Sequence, residues 1–181
     1  MAAERREAAR VDLEADGSVT IAVRVLKTPV GVLQVVASHD AVLSIELPRP
    51  RAERPLERWL EARHGQTPAL QAALTQLREY FAGRRRRFEV PVDPAGTSFQ
   101  ERVWSAIAAI PFGETTSYGA IAAALGGADK ARAVGAAVGA NPIPIIIPCH
   151  RVIGSDGSLT GYAGGLRMKI WLLRHEGALL A

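Results

Sequence analysis

The sequence predicts a protein in two parts: an α/β unit built on an antiparallel sheet with a helix, then a mainly α unit with a helix-turn-helix. Three observations carry that expectation. Apolar residues alternate with period two in the first fifty residues, the pattern of strands. From residue 98 onward they recur at three- and four-residue spacing, the pattern of helices. Between the two regimes stand Pro91 and Pro94, which suit neither kind of ladder. The expected divisions are a loose charged tail over residues 1–17, an amino-terminal unit over 18–92 and a carboxy-terminal unit over 93–181.

Val19–Leu26 alternates like a strand, Thr28-Pro-Val-Gly31 reads as a turn, and strand-like Val32–Ala37 and Ala41–Leu47 follow. Together these predict an antiparallel meander. Pro48–Arg58 is a Pro/Arg-rich connection. Ala69–Phe81 has helical spacing, with Leu70, Ala73, Leu74 and Leu77 on one stripe, and Gly83 stops it. The run Arg84–Arg87 reads either as a solvated link or as a phosphate-contacting patch. Phe88–Val92 is a candidate further strand.

In the second half, Ser98-Phe-Gln-Glu101 matches a capping box and opens a helix to about Ala109, with Phe99, Val103, Ile107 and Ile110 on its apolar face. Tyr118–Leu125 is a short helix stopped by Gly126-Gly127, and Asp129 is a candidate cap for the next, which runs to about Ala140. This pair forms the expected helix-turn-helix. Its second helix is unusual. Val134, Ala137 and Val138 make a core stripe, whereas Arg132, Gly135, Ala136 and Gly139 make an almost bare one. Two readings stand: tight packing against another helix, or a smooth face laid against a bulky ligand such as a nucleic-acid groove. The lone Arg132 favours the second. A last helix spans Gly165–Glu176.

Composition narrows the function. The 181 residues carry a formal charge of +4, divided evenly: 15 basic and 13 acidic side chains in residues 1–94, 7 and 5 in the rest. Any nucleic-acid footprint is therefore local. A single cysteine rules out an internal disulfide and a Cys-rich zinc site, and the four histidines lack ligand spacing, so neither metal nor cofactor is expected. The first twenty residues have no apolar core of a signal peptide, and no apolar run approaches the roughly 18 residues of a membrane span. A cytoplasmic protein is the expectation.

The one thiol follows Asn141-Pro-Ile-Pro144 and the apolar run Ile145–Ile147, read as a short buried strand ended by Pro148. A free cysteine is commonly just a small buried hydrophobe. Here His150 and Arg151 come next, polar groups that a dry core does not accept unpaired. Gly154–Gly165 reads as a hairpin about Asp156-Gly157 and then a loop of the kind that lines sites. A thiol near pKa 8.5 needs a base or a positive neighbourhood to act as a nucleophile. His150 is adjacent, but neighbours on an extended strand point to opposite faces, so contact needs a turn or a bridging water. Glu176 is a candidate orienting acceptor that sequence cannot position. No second thiol is present to resolve a redox intermediate. A thiol that attacks an alkyl carbon makes a thioether that water does not cleave, and such a protein acts once.

Pro148-Cys-His-Arg-Val152 resembles the active-site signature of the O6-alkylguanine-DNA alkyltransferases, also called methylated-DNA–protein-cysteine methyltransferases. The likeness extends through Phe99–Trp104, Ile110–Glu114, Ser117-Tyr118, Ala131–Gly135, Asn141-Pro142, Gly161–Gly165 and Trp171–Gly177. The first half resembles the family's ribonuclease-H-like domain through Thr28–Gly31 and Tyr80-Phe-Ala-Gly83. The resemblance implies Cys149 as alkyl acceptor, His150 activating it through water, Glu176 as outer acceptor, Tyr118 as proton donor to the departing guanine and Asn141 as hinge. It implies Arg132 taking the place of an extruded nucleotide, with Ala131, Gly135 and Arg151 on the DNA face. Pro144, Val152, Tyr162 and Ala163 join Tyr118 in the base pocket. Ala163 keeps a backbone N–H where the family often has serine, which leaves pocket breadth open. The implied partner is double-stranded DNA carrying O6-alkylguanine, with O4-alkylthymine a further candidate. The protein is expected to be a monomer in solution, with cooperative binding on DNA left open. The alternatives are a lesion-binding protein of the same fold that lacks the reaction, and a cysteine hydrolase.

Overall fold

The computed structural model describes residues 21–48 and 66–179. The expected tail and residues 49–58 of the Pro/Arg-rich connection lie outside the described residues. β1 (Ala22–Thr28), β2 (Gly31–Ala37) and β3 (Val42–Glu46) form an antiparallel sheet in that order. The register pairs Ala22 with Ala37, Leu26 with Leu33 and Val35 with Ile45, which gathers one set of alternating apolar residues on one face. α1 (Pro68–Phe81) packs there, burying Leu70, Ala73, Leu74 and Leu77 as its spacing predicts. Thr67 caps it, accepting a hydrogen bond from the Leu70 N–H at 3.2 Å, and proline occupies the first helical turn, where its missing N–H is not needed.

The second unit is an assembly of short helices. α2 (Ser98–Ala108) has its capping box one residue earlier than predicted: Thr97 is the cap and Gln100 reaches back to it. α3 (Tyr118–Ala124) is capped by Ser117, and Gly126, at φ 81°, ends it in a conformation that side chains disfavour. Asp129 is not a cap. It lies within a 3₁₀ turn, Ala128–Lys130, that runs directly into α4 (Ala131–Gly139). α2 and α3 both pack against α4, and the Trp104 indole N–H donates to the Ala137 carbonyl at 2.8 Å. α5 (Leu166–His175) follows Gly165 and ends at Glu176.

Three predicted elements take another form. Phe88–Val92 is not a strand; only an isolated bridge joins Val42 to Val92. The stretch after Ile153 is not a hairpin but a single turn, closed by Gly154 N–H to the Ser158 carbonyl at 2.8 Å. Ile145–Ile147 is not a strand either. With prolines at 142, 144 and 148 the segment has too few N–H donors for a ladder, and it folds as a tight turn. Ile145 sits there at φ 78°, wholly buried. A β-branched residue in the left-handed region is held there only by its surroundings. Two-residue strands β4 (Thr116–Ser117) and β5 (Val152–Ile153) pair in parallel. They are too short for any periodicity to reveal, yet they bring the start of α3 beside the residues that follow the thiol.

Candidate active site

Asn141 builds the turn that carries the thiol. Its amide donates to the Ile147 carbonyl at 2.8 Å and its oxygen accepts from the Ile143 N–H at 3.0 Å. The side chain thus supplies the partners that the prolines remove. Cys149, His150 and Arg151 then form one turn of 3₁₀ helix, not the end of a strand. In a 3₁₀ turn successive residues are about 120° apart around the axis, not about 180° as on a strand.

All three are buried, and Glu176 is what makes that tolerable. Its Oε1 accepts from the His150 Nε2–H at 2.8 Å, the Tyr80 hydroxyl at 2.7 Å and the Arg151 guanidinium at 3.0 Å. Its Oε2 accepts from the Arg151 Nε–H at 2.8 Å. Burial alone would raise the carboxyl's pKa, but hydrogen bonds from His150, Arg151 and Tyr80 outweigh it and hold the group down at about 2. Glu176 is therefore ionised at neutral pH and has no proton to give. His150 must donate through Nε2, which leaves Nδ1 as its lone-pair nitrogen. Nδ1 is buried and has no protein partner. Burial, chiefly, also lowers the basicity of the ring, against the pull of Glu176, so His150 is neutral.

The thiol itself is pushed up to about 11 by burial, with the Asn141 amide and the Lys169 ammonium pulling it back. Lys169 was not singled out from the sequence. It is wholly buried and donates to the Val152 carbonyl at 2.6 Å and the Thr160 carbonyl at 3.1 Å, tying both arms of the loop after the thiol. A lysine in a helical stripe reads as a solvated residue, and nothing in sequence marks it as buried. Tyr80 was missed likewise.

A pocket of about 50 Å³ opens on Cys149, lined by Tyr118, Gly135, Asn141, Pro144, Tyr162 and Ala163 among others. The Tyr118 hydroxyl accepts from Thr160 at 3.0 Å, which leaves its own O–H free to donate. The Tyr162 hydroxyl is buried without a protein partner. Val152 adjoins the thiol turn as the first residue of β5, with its carbonyl held by Lys169. Arg132 is exposed at the start of α4, next to half-buried Ala131. Arg151 is corrected: expected on the DNA face, it is buried and its guanidinium is committed to Glu176 and, at 2.5 Å, to the Ile110 carbonyl. On the bare side of α4, a Cβ at Gly139 would meet nothing within 4 Å, and one at Gly135 only Tyr118 at 3.8 Å. Close packing among the described residues therefore does not explain these glycines.

Residues 98–178 match the DNA-binding domain of 6-O-methylguanine DNA methyltransferases, and residues 21–94 match their ribonuclease-like domain. Methylated-DNA–protein-cysteine methyltransferase of Mycobacterium tuberculosis is 48% identical over 157 residues, covering 84% of this chain and 90% of the relative. The chain belongs to the methylated-DNA–protein-cysteine methyltransferase family. The constitutive methyltransferase of Bacillus subtilis is 43% identical over 83% of the chain and 92% of its own length. Among solved structures, the O6-methylguanine methyltransferase of M. tuberculosis superposes with a TM-score of 0.78 at 41% identity, covering 87% of this chain and 93% of that one. The M. tuberculosis OGT solved in complex with DNA gives 0.76 at 42% identity, covering 86% and 92%. The two-unit fold is the methyltransferase fold. No described helix is long and apolar enough to cross a membrane.

Proposed function

We propose that this chain repairs alkylated DNA by direct reversal, moving a methyl or other alkyl group from O6 of guanine in the duplex onto Sγ of Cys149. The observation that carries this reading is the placing of the only thiol directly before a buried, neutral histidine. That histidine's free Nδ1 is dictated by an ionised, fully partnered Glu176.

The Cys149 proton passes to His150 Nδ1 through a bridging water, and the resulting imidazolium is stabilised across Nε2 by Glu176. The thiolate sulfur attacks the alkyl carbon and a carbon–sulfur bond forms as the carbon–oxygen bond breaks. The electron pair stays on O6, and a proton from Tyr118 neutralises the departing guanine. The products are a thioether and unmodified guanine. Tyr118 recovers its proton from solvent or from the imidazolium. Nothing in the chemistry reverses the thioether, so each molecule acts once.

The target base is stacked and must be flipped out, at a cost of a few kcal/mol. Arg132, exposed on a helix face otherwise made of small residues, is suited to fill the vacated position, as a helix-turn-helix laid in the minor groove would allow. Asn141 joins α4 to the thiol turn and is the hinge. The pocket lined by Tyr118, Pro144, Tyr162 and Ala163 receives the base; Val152, expected there from the resemblance, is wholly buried and does not line it. Residues 18–92 act as the supporting domain and 93–181 as the DNA-binding and acceptor domain, in a monomer in the cytoplasm.

Mass spectrometry of the peptide containing Cys149, after incubation with duplex carrying O6-methylguanine, tests this. The expected result is one methyl group on Cys149 for each base repaired. An unmodified peptide beside repaired DNA sinks the proposal. Cys149→Ser is expected to abolish transfer and keep DNA binding. Restored guanine is also what separates repair from mere lesion binding, and stoichiometric loss of activity is what separates it from a turning-over hydrolase.

A further inference from the structure

The thiol-activating network does not belong to the carboxy-terminal half alone. Glu176 has donors from three residues in two places: His150 and Arg151 on the thiol turn, and Tyr80 on the last turn of α1 in the other unit. Tyr80 is wholly buried. Its ring is fixed by an edge contact with Phe112 at 6.3 Å, a tilted contact with Phe88 at 5.4 Å and an edge contact with His175 at 5.0 Å. Its carbonyl accepts from the His175 Nε2–H at 2.7 Å, and Trp171 stacks on the His175 ring at 4.8 Å. Backbone and hydroxyl of one tyrosine therefore grip two consecutive residues, His175 and Glu176.

Because Glu176 is ionised, the Tyr80 hydroxyl must be the donor. It lands on Oε1, the same oxygen that receives the His150 proton. With the Arg151 guanidinium, three donors share the charge of this one oxygen. Each weakens the hold of that oxygen on the others, so the Tyr80 O–H lowers the attraction that His150 feels. We propose that Tyr80, from the amino-terminal unit, is a positioning residue of the alkyl-transfer reaction, fixing Glu176 in place and setting how strongly it draws on His150. This rests on the alkyl-transfer reading of the site.

The titratable and charged groups around His150 are Glu176 and Lys169 from α5 and its end, Cys149 and Arg151 on its own turn, Tyr162 on the loop and Tyr80 on α1. Among the described residues, only Tyr80 comes from the first unit. Tyr80→Phe keeps the ring packing and deletes the hydrogen bond. With one donor fewer, Glu176 Oε1 pulls harder on the Nε2 proton and Nδ1 becomes more basic.

The test is a ¹⁵N NMR titration of the His150 imidazole in the full-length protein, wild type against Tyr80→Phe, paired with single-turnover rates on O6-methylguanine duplex across pH. The expected result is an upward move of the His150 titration by roughly half a pH unit or more, with the acid limb of the rate profile following it. Phe112→Leu, which loosens the ring cluster and leaves the hydroxyl in place, is expected to leave the titration where it is. An unshifted titration in Tyr80→Phe overturns the inference, and so does an equal shift in Phe112→Leu. Failure of the wild type to methylate Cys149 overturns the functional reading instead, and the NMR comparison still decides the role of Tyr80.

Discussion

The surroundings of Glu176 and the outward face of α4 follow opposite rules. Around Glu176 both carboxylate oxygens are taken up by buried donors, and the one ring nitrogen left without a protein partner is His150 Nδ1. On α4 the outward residues are glycine, alanine and one arginine, exposed except for half-buried Gly135 beside Tyr118. The first region works by saturating the carboxylate, the second by leaving space. A buried ionic cluster is stable only when complete, since removing one member strands the others. A bare face costs helix stability and is retained only if something outside the chain uses it.

The largest break in this contrast is Glu176→Leu. It leaves the Tyr80 hydroxyl buried without an acceptor and the Arg151 guanidinium buried without a counter-charge, held only by the Ile110 carbonyl, and a loss of about 3–5 kcal/mol is expected in denaturant unfolding. A loss under about 1 kcal/mol, the value of an exposed pair, would show that the cluster is solvated. The same group gives the wild type a pH dependence. A carboxyl held at about 2 when folded, against 4.5 otherwise, contributes stability that is complete above the higher value. That contribution drains away as pH falls from there toward 2. Glu176→Leu should lack this acid step.

Arg132→Ala comes next. Unfolding should be unchanged, because the side chain is exposed, while repair in duplex falls at least about ten-fold relative to reaction with the free alkylated base, since flipping goes uncompensated. Equal loss on both substrates contradicts the flipping role. The smallest effect is the most discriminating. Gly139→Ala meets open space, so it should stabilise α4 by up to about 1 kcal/mol while weakening duplex binding. Gained stability with unchanged affinity would mean that the face touches nothing.

These two regions also differ in how legible they were. The α4 face could be read residue by residue, because helical spacing converts sequence directly into faces. The apolar stripes of α1 and α2 were readable for the same reason. The cluster was not. His150 and Glu176 are 26 residues apart, and Tyr80 and Glu176 are 96 apart. No local period links them, so Glu176 could be named as a candidate acceptor but not positioned, and Tyr80 entered only as part of a family likeness with no role at the site. Arg151 was misassigned because an arginine beside a catalytic thiol suits either DNA or an internal carboxylate, and only the fold chooses. The turn at Ile145 was mistaken for a strand because three isoleucines favour β structure, while the neighbouring prolines withhold the N–H groups that a strand needs.

Burial of Cys149 has a bearing on the protein's life before it meets a lesion. A thiol raised to about 11 is almost wholly protonated at neutral pH, and it is 6% exposed. Peroxides and small soluble electrophiles consume thiolates, so they find little here to consume. For a protein proposed to act once, shelf life matters as much as reactivity. The pocket that makes the sulfur sluggish in isolation also keeps the supply unspent until a base is delivered into it.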